Sequence, residues 1–170
     1  DGAEPAPSSV AALNLLRLAA VFDESAAGAG GGTALAGEGT RPPRGWSYRK
    51  RGRRTLEAFR AQWERAPHAL PQMLCALELA LEAPRHVVIA GDPGAEDFRI
   101  LAGVLAERLG PFRAVLAADG GPGQRWLAVR APWLAEMRPM GGRATAHVCE
   151  EFACQAPITA AAELRRRLSA

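Results

Sequence analysis

The sequence predicts a mixed fold, in which a helical part, residues 1–84, precedes a small α/β unit, residues 85–170. Two observations support this division. Apolar residues recur at helical spacing in the first part, whereas short continuous apolar runs that end in glycine and aspartate follow residue 85. The chain has 170 residues, 48% of them hydrophobic, which is enough for a folded core.

Three helices are predicted in the first part. The first covers residues 9–21, with Ser8 or Ser9 as its N-cap, because a serine hydroxyl can accept from the free N–H groups of a first turn. Its apolar residues point in nearly every direction, which is typical of a helix buried among other helices. The second covers residues 48–66 and ends at a proline, and the third covers residues 70–81.

Residues 23–45 interrupt the helical pattern. They contain seven glycines among alanine, serine, threonine and proline residues. Such a segment buries too little apolar surface to offset the entropy of ordering it. We therefore predict a flexible insertion here.

Two apolar runs open the second part, at residues 86–90 and 113–118. A helical pattern at residues 95–109 separates them. A strand, a helix and a strand joined by short links form a right-handed βαβ unit with parallel strands. A further helix at residues 125–137 and a third strand at residues 144–149 are expected to extend the sheet. The α/β unit is thus predicted to contain three parallel strands, and a helix at 161–168 ends the chain.

The two predicted turns after the first strands have the residue types of ligand loops. Gly91-Asp92-Pro93-Gly94 precedes a helix, where backbone N–H groups can hold an anion, and Asp119-Gly120-Gly121 lies where α/β proteins bind ligands. Neither loop has the glycine spacing of a dinucleotide site or the Gly-Lys-Ser/Thr ending of a phosphate loop. Tight turns that carry an acidic residue are the favoured interpretation.

The charge pattern argues against two classes of partner. The net charge is only +3, and the basic run RKRGRR at residues 49–54 fits the solvated face of the second helix. No aromatic residues interleave with it as a stacking platform would require.

The longest apolar run, residues 10–21, contains Asn14 and Arg17. We therefore expect no nucleic-acid partner and no membrane span. A cytoplasmic location is the expectation, with secretion as the alternative.

Cys149 and Cys154 invite three interpretations. With His147 they could supply metal ligands, but a structural zinc site needs four ligands, usually in two close pairs. A thioredoxin-type redox pair has two intervening residues at a helix N-terminus, whereas here four residues intervene after a strand. We predict structural thiols, no metal and no cofactor. A disulfide between them is feasible if the chain turns back on itself.

Asp1 and Glu4 precede the first helix. In an (α/α) toroid, the loops before the inner helices face a shared central cleft. Paired carboxylates in such a cleft can perform general acid–base chemistry on sugars. Outside a toroid, the same residues would form a surface loop.

Several stretches together resemble the carboxy-terminal end of the spermatogenesis-associated, thioredoxin-domain-containing protein family. They are DGAEP at 1–5, SVAALNLLRLA at 9–19, ALPQML at 69–74, VVIAGD at 87–92 and ATAHVCEEFACQAPIT at 144–159. The resemblance covers the chain except residues 23–45. It departs from the family at Ala6-Pro7-Ser8-Ser9, where family members usually carry an asparagine.

The resemblance implies a longer protein with an amino-terminal thioredoxin-like domain and an (α/α) toroid similar to six-hairpin glycosidases and sugar epimerases. This chain would carry the last toroid helices and the terminal α/β unit, with Asp1, Glu4, Ser8 and Ser9 lining the cleft. The implied function is sugar binding or carbohydrate metabolism in the longer protein, and the chain alone is not expected to be catalytic. The alternative is a non-catalytic, redox-linked or interaction module with a role in spermatogenesis. The expected partners are a sugar-like small molecule and the thioredoxin-like and toroid parts.

Overall fold

The computed structural model describes residues 1–22, 47–83, 85–107, 113–150 and 153–169. The insertion predicted at residues 23–45 lies outside the described residues. The fold is mixed, as predicted. Its α-helices are α1 (Pro7–Phe22), α2 (Tyr48–Ala58), α3 (Arg60–Arg65), α4 (Pro71–Leu81), α5 (Glu96–Ala106), α6 (Pro122–Ala128) and α7 (Ala161–Arg167). Short 3₁₀ helices cover Pro67–Ala69 and Pro132–Glu136, and the strands are β1 (Arg85–Ala90), β2 (Arg113–Ala118), β3 (Thr145–Glu150) and β4 (Ala153–Cys154).

Helices α1, α2 and α4 pack around one core. Helix α2 runs antiparallel to α1, because the ring of Tyr48 at its start lies 6.1 Å from the ring of Phe22 at the end of α1. Gly52 lies against Leu16 in the middle of both helices. The core residues are Ala12, Leu13, Leu16, Leu56, Met73, Ala76, Leu79 and Ala80.

Helix α1 is only partly buried by this chain. Its inner face is covered by α2 and α4, whereas Val10 is 38% exposed and Leu18 is 39% exposed on the outer face. The sequence predicts that α1 is buried on all sides, but the described residues bury only part of it. No described element covers that outer face.

The sheet differs from the predicted one. Its order is β2-β1-β3-β4. Strands β1 and β2 are parallel, as predicted from the βαβ pattern, but β3 is antiparallel to β1 and β4 is antiparallel to β3. The prediction of three parallel strands was wrong for the third strand, and the sheet is a mixed one of four strands.

The connection between β2 and β3 explains this difference. The sequence predicts one helix at 125–137, but Pro132 begins a separate 3₁₀ helix, and α6 has only seven residues. Seven helical residues span about 10 Å, whereas a strand of six residues is about 20 Å long. The chain therefore does not return to the start of β1. It turns at Gly141 and Gly142, whose φ angles are 58° and 71°, and enters β3 beside the carboxyl end of β1.

Each face of the sheet has its own core. Helices α5 and α7 cover one face, where Val87, Ile89, Leu101 and Leu164 are buried. The other face is covered by α6, the second 3₁₀ helix and Phe22 from the end of α1. The helical part thus contacts the sheet through the last turn of α1.

Two helical glycines make a matched stability test. A Cβ added at Gly52 would lie 2.8 Å from Cγ of Leu16, which is 1% exposed, whereas a Cβ at Gly103 would meet nothing within 4 Å. We expect Gly52→Ala to lower the free energy of unfolding by up to about 2 kcal/mol, because an overpacking cost of about 1–3 kcal/mol outweighs a helix-propensity gain of about 1 kcal/mol. Gly103→Ala should raise it by up to about 1 kcal/mol through helix propensity. Denaturant titration measures both, and equal stabilisation by the two variants would contradict close packing of α1 on α2.

Candidate functional site

The amino-terminal loop joins the starts of α1 and α4. Asp1 Oδ1 accepts a hydrogen bond of 2.6 Å from the N–H of Ala6, immediately before α1. Asp1 Oδ2 accepts from the N–H groups of Gln72 and Met73, at 2.9 and 3.3 Å, in the first turn of α4. One carboxylate thus supports the N-terminal ends of two helices, where free N–H groups and the helix dipole favour negative charge.

This arrangement makes α1 and α4 parallel neighbours, with α2 antiparallel beside both. Helix α4 has no capping side chain of its own, because its preceding residue is Leu70. The missing cap indicates from the sequence that the free N–H groups of the first turn of α4 need an acceptor from elsewhere in the chain. It does not identify Asp1, which lies 71 residues away from Gln72.

The other predicted cleft residues occupy the same end of the helical part in different environments. Glu4 is exposed, Ser8 is half-buried, and Ser9 is fully buried in the first turn of α1. Helix α1 begins at Pro7, so neither serine is the N-cap that the sequence predicts. Within the described part of the chain, Ser9 Oγ has no hydrogen-bond partner. Of the two predicted carboxylates, Glu4 is exposed, whereas Asp1 is partly buried and accepts hydrogen bonds from three backbone N–H groups.

The two cysteines of the 144–159 stretch are joined in a disulfide. Cys149 and Cys154 are directly opposite each other on β3 and β4, with a Cα–Cα separation of 3.9 Å. Their environments differ, since Cys149 is 2% exposed and Cys154 is exposed. Cys75 is a free, exposed cysteine in α4.

His147 shares a sheet face with Cys149, as the alternation along β3 predicts. Its Nε2 lies 3.0 Å from the carbonyl oxygen of Arg138. In the part of the chain that the structure describes, no three His, Cys, Asp or Glu side chains converge as a metal site.

A crevice of about 780 Å³ lies at the carboxyl ends of β1 and β2. The two strands stay adjacent there, because the N–H of Gly91 donates to the carbonyl of Ala118 at 3.0 Å. The crevice is lined by Gly91, Asp92, Pro93, Ala118, Asp119, Gly120, Gln124, Arg125, Ala128, Ala135, Met137, Arg138 and Pro139. Carboxylates and guanidinium groups in one crevice can hold a polar small molecule.

The two aspartates of the crevice also build tight turns. Asp92 Oδ1 accepts from the N–H of Gly94 at 2.9 Å, and Asp119 Oδ1 accepts from the N–H of Gly121 at 2.8 Å. Sequence reasoning identified both turns but missed Gln124, Arg125 and Arg138. Only the rule that α/β sites lie at the carboxyl ends of strands pointed towards this region.

His86 connects the sheet to the helical part. It is 1% exposed, its Nε2 contacts the carbonyl oxygen of Ala20, and its ring centroid lies 5.2 Å from that of Trp133. Trp133 Nε1 donates to the carbonyl of Val21 at 3.3 Å. Two aromatic side chains thus contact carbonyls in the last turn of α1. Burial lowers the pKa of His86 to about 4.

No helix within residues 1–22, 47–83, 85–107, 113–150 and 153–169 is long and apolar enough to cross a membrane. That finding agrees with the absence of a spanning segment expected from the sequence.

Three curated relatives match nearly the whole chain. Human spermatogenesis-associated protein 20 is 34% identical over 168 residues, which cover 99% of this chain and 19% of the human protein. The rat and mouse proteins of the same name are 33% and 32% identical over 168 residues, again 99% of this chain, and 18% of each relative is covered. No family model matches the chain, and no solved structure matches it. The chain spans about a fifth of the length of these relatives, and its similarity over nearly all of its residues is that of a fragment of the spermatogenesis-associated protein 20 family.

Proposed function

We propose that this chain is the carboxy-terminal part of a longer protein, in which α1, α2 and α4 complete an (α/α) toroid whose cleft binds a sugar-like small molecule. A thioredoxin-like domain precedes the toroid in this proposal. The chain by itself is not an enzyme in this proposal, because three main helices enclose too little of a cleft. The observation that carries the proposal is the parallel pairing of α1 and α4 by Asp1.

The order of the helices supports the toroid. In an (α/α) toroid each hairpin contributes one inner and one outer helix, so successive inner helices are parallel and an antiparallel outer helix lies between them. Helices α1, α2 and α4 follow this order. The exposed Val10 and Leu18 on the outer face of α1 supply apolar surface that further toroid helices can cover.

The loop before α1 supplies the polar groups of the proposed cleft. Asp1 fixes the loop on α4, which leaves Glu4 as the exposed carboxylate at this end. A carboxylate accepts hydrogen bonds from neighbouring sugar hydroxyls. Glu4 is therefore assigned to ligand binding, and Asp1 to holding the loop in place. Ser8, which is half-buried, completes the same end of the cleft in this proposal, whereas Ser9 is fully buried and has no contact with the ligand assigned to it.

The test uses the longer protein that carries this segment, titrated with a panel of monosaccharides and disaccharides by calorimetry. We expect one class of sugar to bind, and Glu4→Gln to weaken its affinity about tenfold, since a hydrogen bond to a charged group contributes about 1.5 kcal/mol or more. Asp1→Asn should lower the free energy of unfolding by about 1 kcal/mol, because an amide keeps only one acceptor oxygen for the two helix ends.

Glu82→Gln is the matched control, because Glu82 is exposed at the opposite end of α4. It should change neither affinity nor stability. If no sugar binds, or if both glutamine variants lower affinity equally, the cleft proposal fails.

The second candidate is a non-catalytic, redox-linked or interaction module with a role in spermatogenesis. The observation that favours it is the name of all three relatives, which associates them with that process. A longer protein that binds no sugar, but retains a protein partner through the outer face of α1, would support this candidate. Replacing Leu18 with glutamate should then abolish the interaction.

A further inference from the structure

The disulfide joins a buried cysteine to an exposed one. We propose that Cys149–Cys154 is a thiol–disulfide exchange site, at which an external dithiol attacks Sγ of the exposed Cys154 and Sγ of the buried Cys149 leaves. This inference does not depend on the proposed sugar-binding function, because it rests on the edge of the sheet and not on the helical part.

Access to the two sulfurs is unequal. Cys149 lies in β3 with β1 on one side, directly opposite His86, and is 2% exposed. Cys154 lies in β4, which has two residues, pairs with β3 and forms the edge of the sheet within the described residues. All five residues from 153 to 157 are exposed. An attacking thiolate therefore reaches the disulfide from the β4 side.

The backbone at this edge does not depend on the disulfide alone. The N–H of Gln155 donates to the carbonyl of Val148 at 2.9 Å. Further along, Ala146 and Ile158 exchange two hydrogen bonds of 2.7 and 2.9 Å. After the disulfide opens, these backbone hydrogen bonds still hold Gln155 and Ile158 on β3. The two cysteines are five positions apart, so the bond closes a small loop, which removes little entropy from the unfolded chain.

One guanidinium lies beside the residue that follows Cys154. Arg167 of α7 donates to Oε1 of Gln155, the residue next to Cys154. Glu150, which precedes this edge, is paired with Arg85 at 3.1 Å. A positive charge at this edge attracts an incoming thiolate.

The exchange balances in two steps. A thiolate of the external dithiol forms a bond to Cys154 Sγ, the Cys149–Cys154 bond breaks, and its electron pair goes to Cys149 Sγ, which takes a proton from water. The second thiol of the dithiol, once deprotonated, attacks its own partner sulfur and releases Cys154 as a thiolate, which is then protonated. The dithiol is oxidised to a disulfide by two electrons, and the protein gains two thiols.

The test uses the full chain in a Cys75→Ser background, since Cys75 is exposed and would react. With dithiothreitol as the dithiol probe, the bond should open while the circular dichroism of the folded chain persists. In mixtures of reduced and oxidised glutathione, mass mapping should find the adduct on Cys154 at least about tenfold more often than on Cys149. That experiment leaves both cysteines in place, so it does not depend on the folding of a substituted variant.

Single-cysteine variants give a second readout. Cys149→Ser leaves Cys154, which should react with an aromatic disulfide reagent about tenfold or more faster than Cys149 does in Cys154→Ser. Reduction that occurs only when the chain unfolds would overturn the proposal. So would glutathione adducts divided equally between the two sulfurs, or a bond that stays fully oxidised in every glutathione mixture, as a structural disulfide does.

Discussion

Replacing Gln124 with alanine is expected to lower the free energy of unfolding by about 3 kcal/mol, because it removes three hydrogen bonds between a buried side chain and the backbone. Gln124 is 8% exposed. Its Oε1 accepts from the N–H of Gly120 at 2.6 Å, and its Nε2 donates to the carbonyls of Leu134 and Met137 at 2.7 and 3.3 Å. One side chain therefore connects the turn after β2 to the 3₁₀ helix that forms the opposite wall of the crevice.

Denaturant titration of Gln124→Ala measures this effect. Gln62→Ala is the matched control, because Gln62 is an exposed helical glutamine in α3, and its change should stay within about 0.5 kcal/mol. Proton–deuterium exchange adds a local readout, since the amide of Gly120 should lose protection in Gln124→Ala. A loss of stability no larger than that of the control would show that the three hydrogen bonds contribute little.

The elements that local sequence patterns encode were predicted well. The runs 86–90 and 113–118 became the parallel strands β1 and β2, because apolar runs that end in glycine and aspartate define both the strand and its end. Gly91 follows β1 and Gly120 follows β2, and their φ angles are positive, at 144° and 72°. Such angles favour glycine in the turns after the two strands.

The direction of the third strand could not be predicted in the same way. Alternation along residues 144–149 assigns side chains to the two faces but is the same for a parallel and an antiparallel strand. The direction depends on whether the segment between β2 and β3 is long enough to reach the start of β1. The length of that segment was overestimated, because Pro132 was included within a single helix.

Contacts between residues that lie far apart in the sequence could not be predicted from local patterns. Asp1 was assigned to the cleft by resemblance, but its hydrogen bonds to Gln72 and Met73 depend on the packing of α1 on α4, which no local pattern reveals. The pairing of Cys149 with Cys154 likewise depends on a hairpin register between β3 and β4. The unlike exposure of the two cysteines follows from the order of the strands. From the sequence, both were predicted to be structural thiols.

The stability of the fold should fall as the pH is lowered from about 6.5 to about 4, and His86 should account for much of the fall. Burial lowers the pKa of His86 to about 4 in the folded chain, whereas an unfolded histidine titrates near 6.5. A positive charge near the end of a helix is normally favourable, but here the loss of hydration dominates. Between these two pH values the unfolded chain binds more protons than the folded one. The stabilisation is therefore complete above about pH 6.5 and is lost as the pH falls towards 4.

The expected loss is about 3 kcal/mol over this pH range, at 1.36 kcal/mol per pH unit. His86→Gln is the informative variant, because glutamine can still donate a hydrogen bond to the carbonyl of Ala20 and has no charge to gain. The free energy of unfolding of both proteins is measured by denaturant titration at intervals between pH 7.5 and pH 4. His68 and His147 are present in both, so they cancel in the difference between the two curves. That difference should be constant above about pH 6.5 and should shift in favour of the variant at lower pH. A difference that stays constant over the whole range would mean that His86 becomes protonated in the folded chain without penalty, and that the contact between the end of α1 and β1 tolerates a charge.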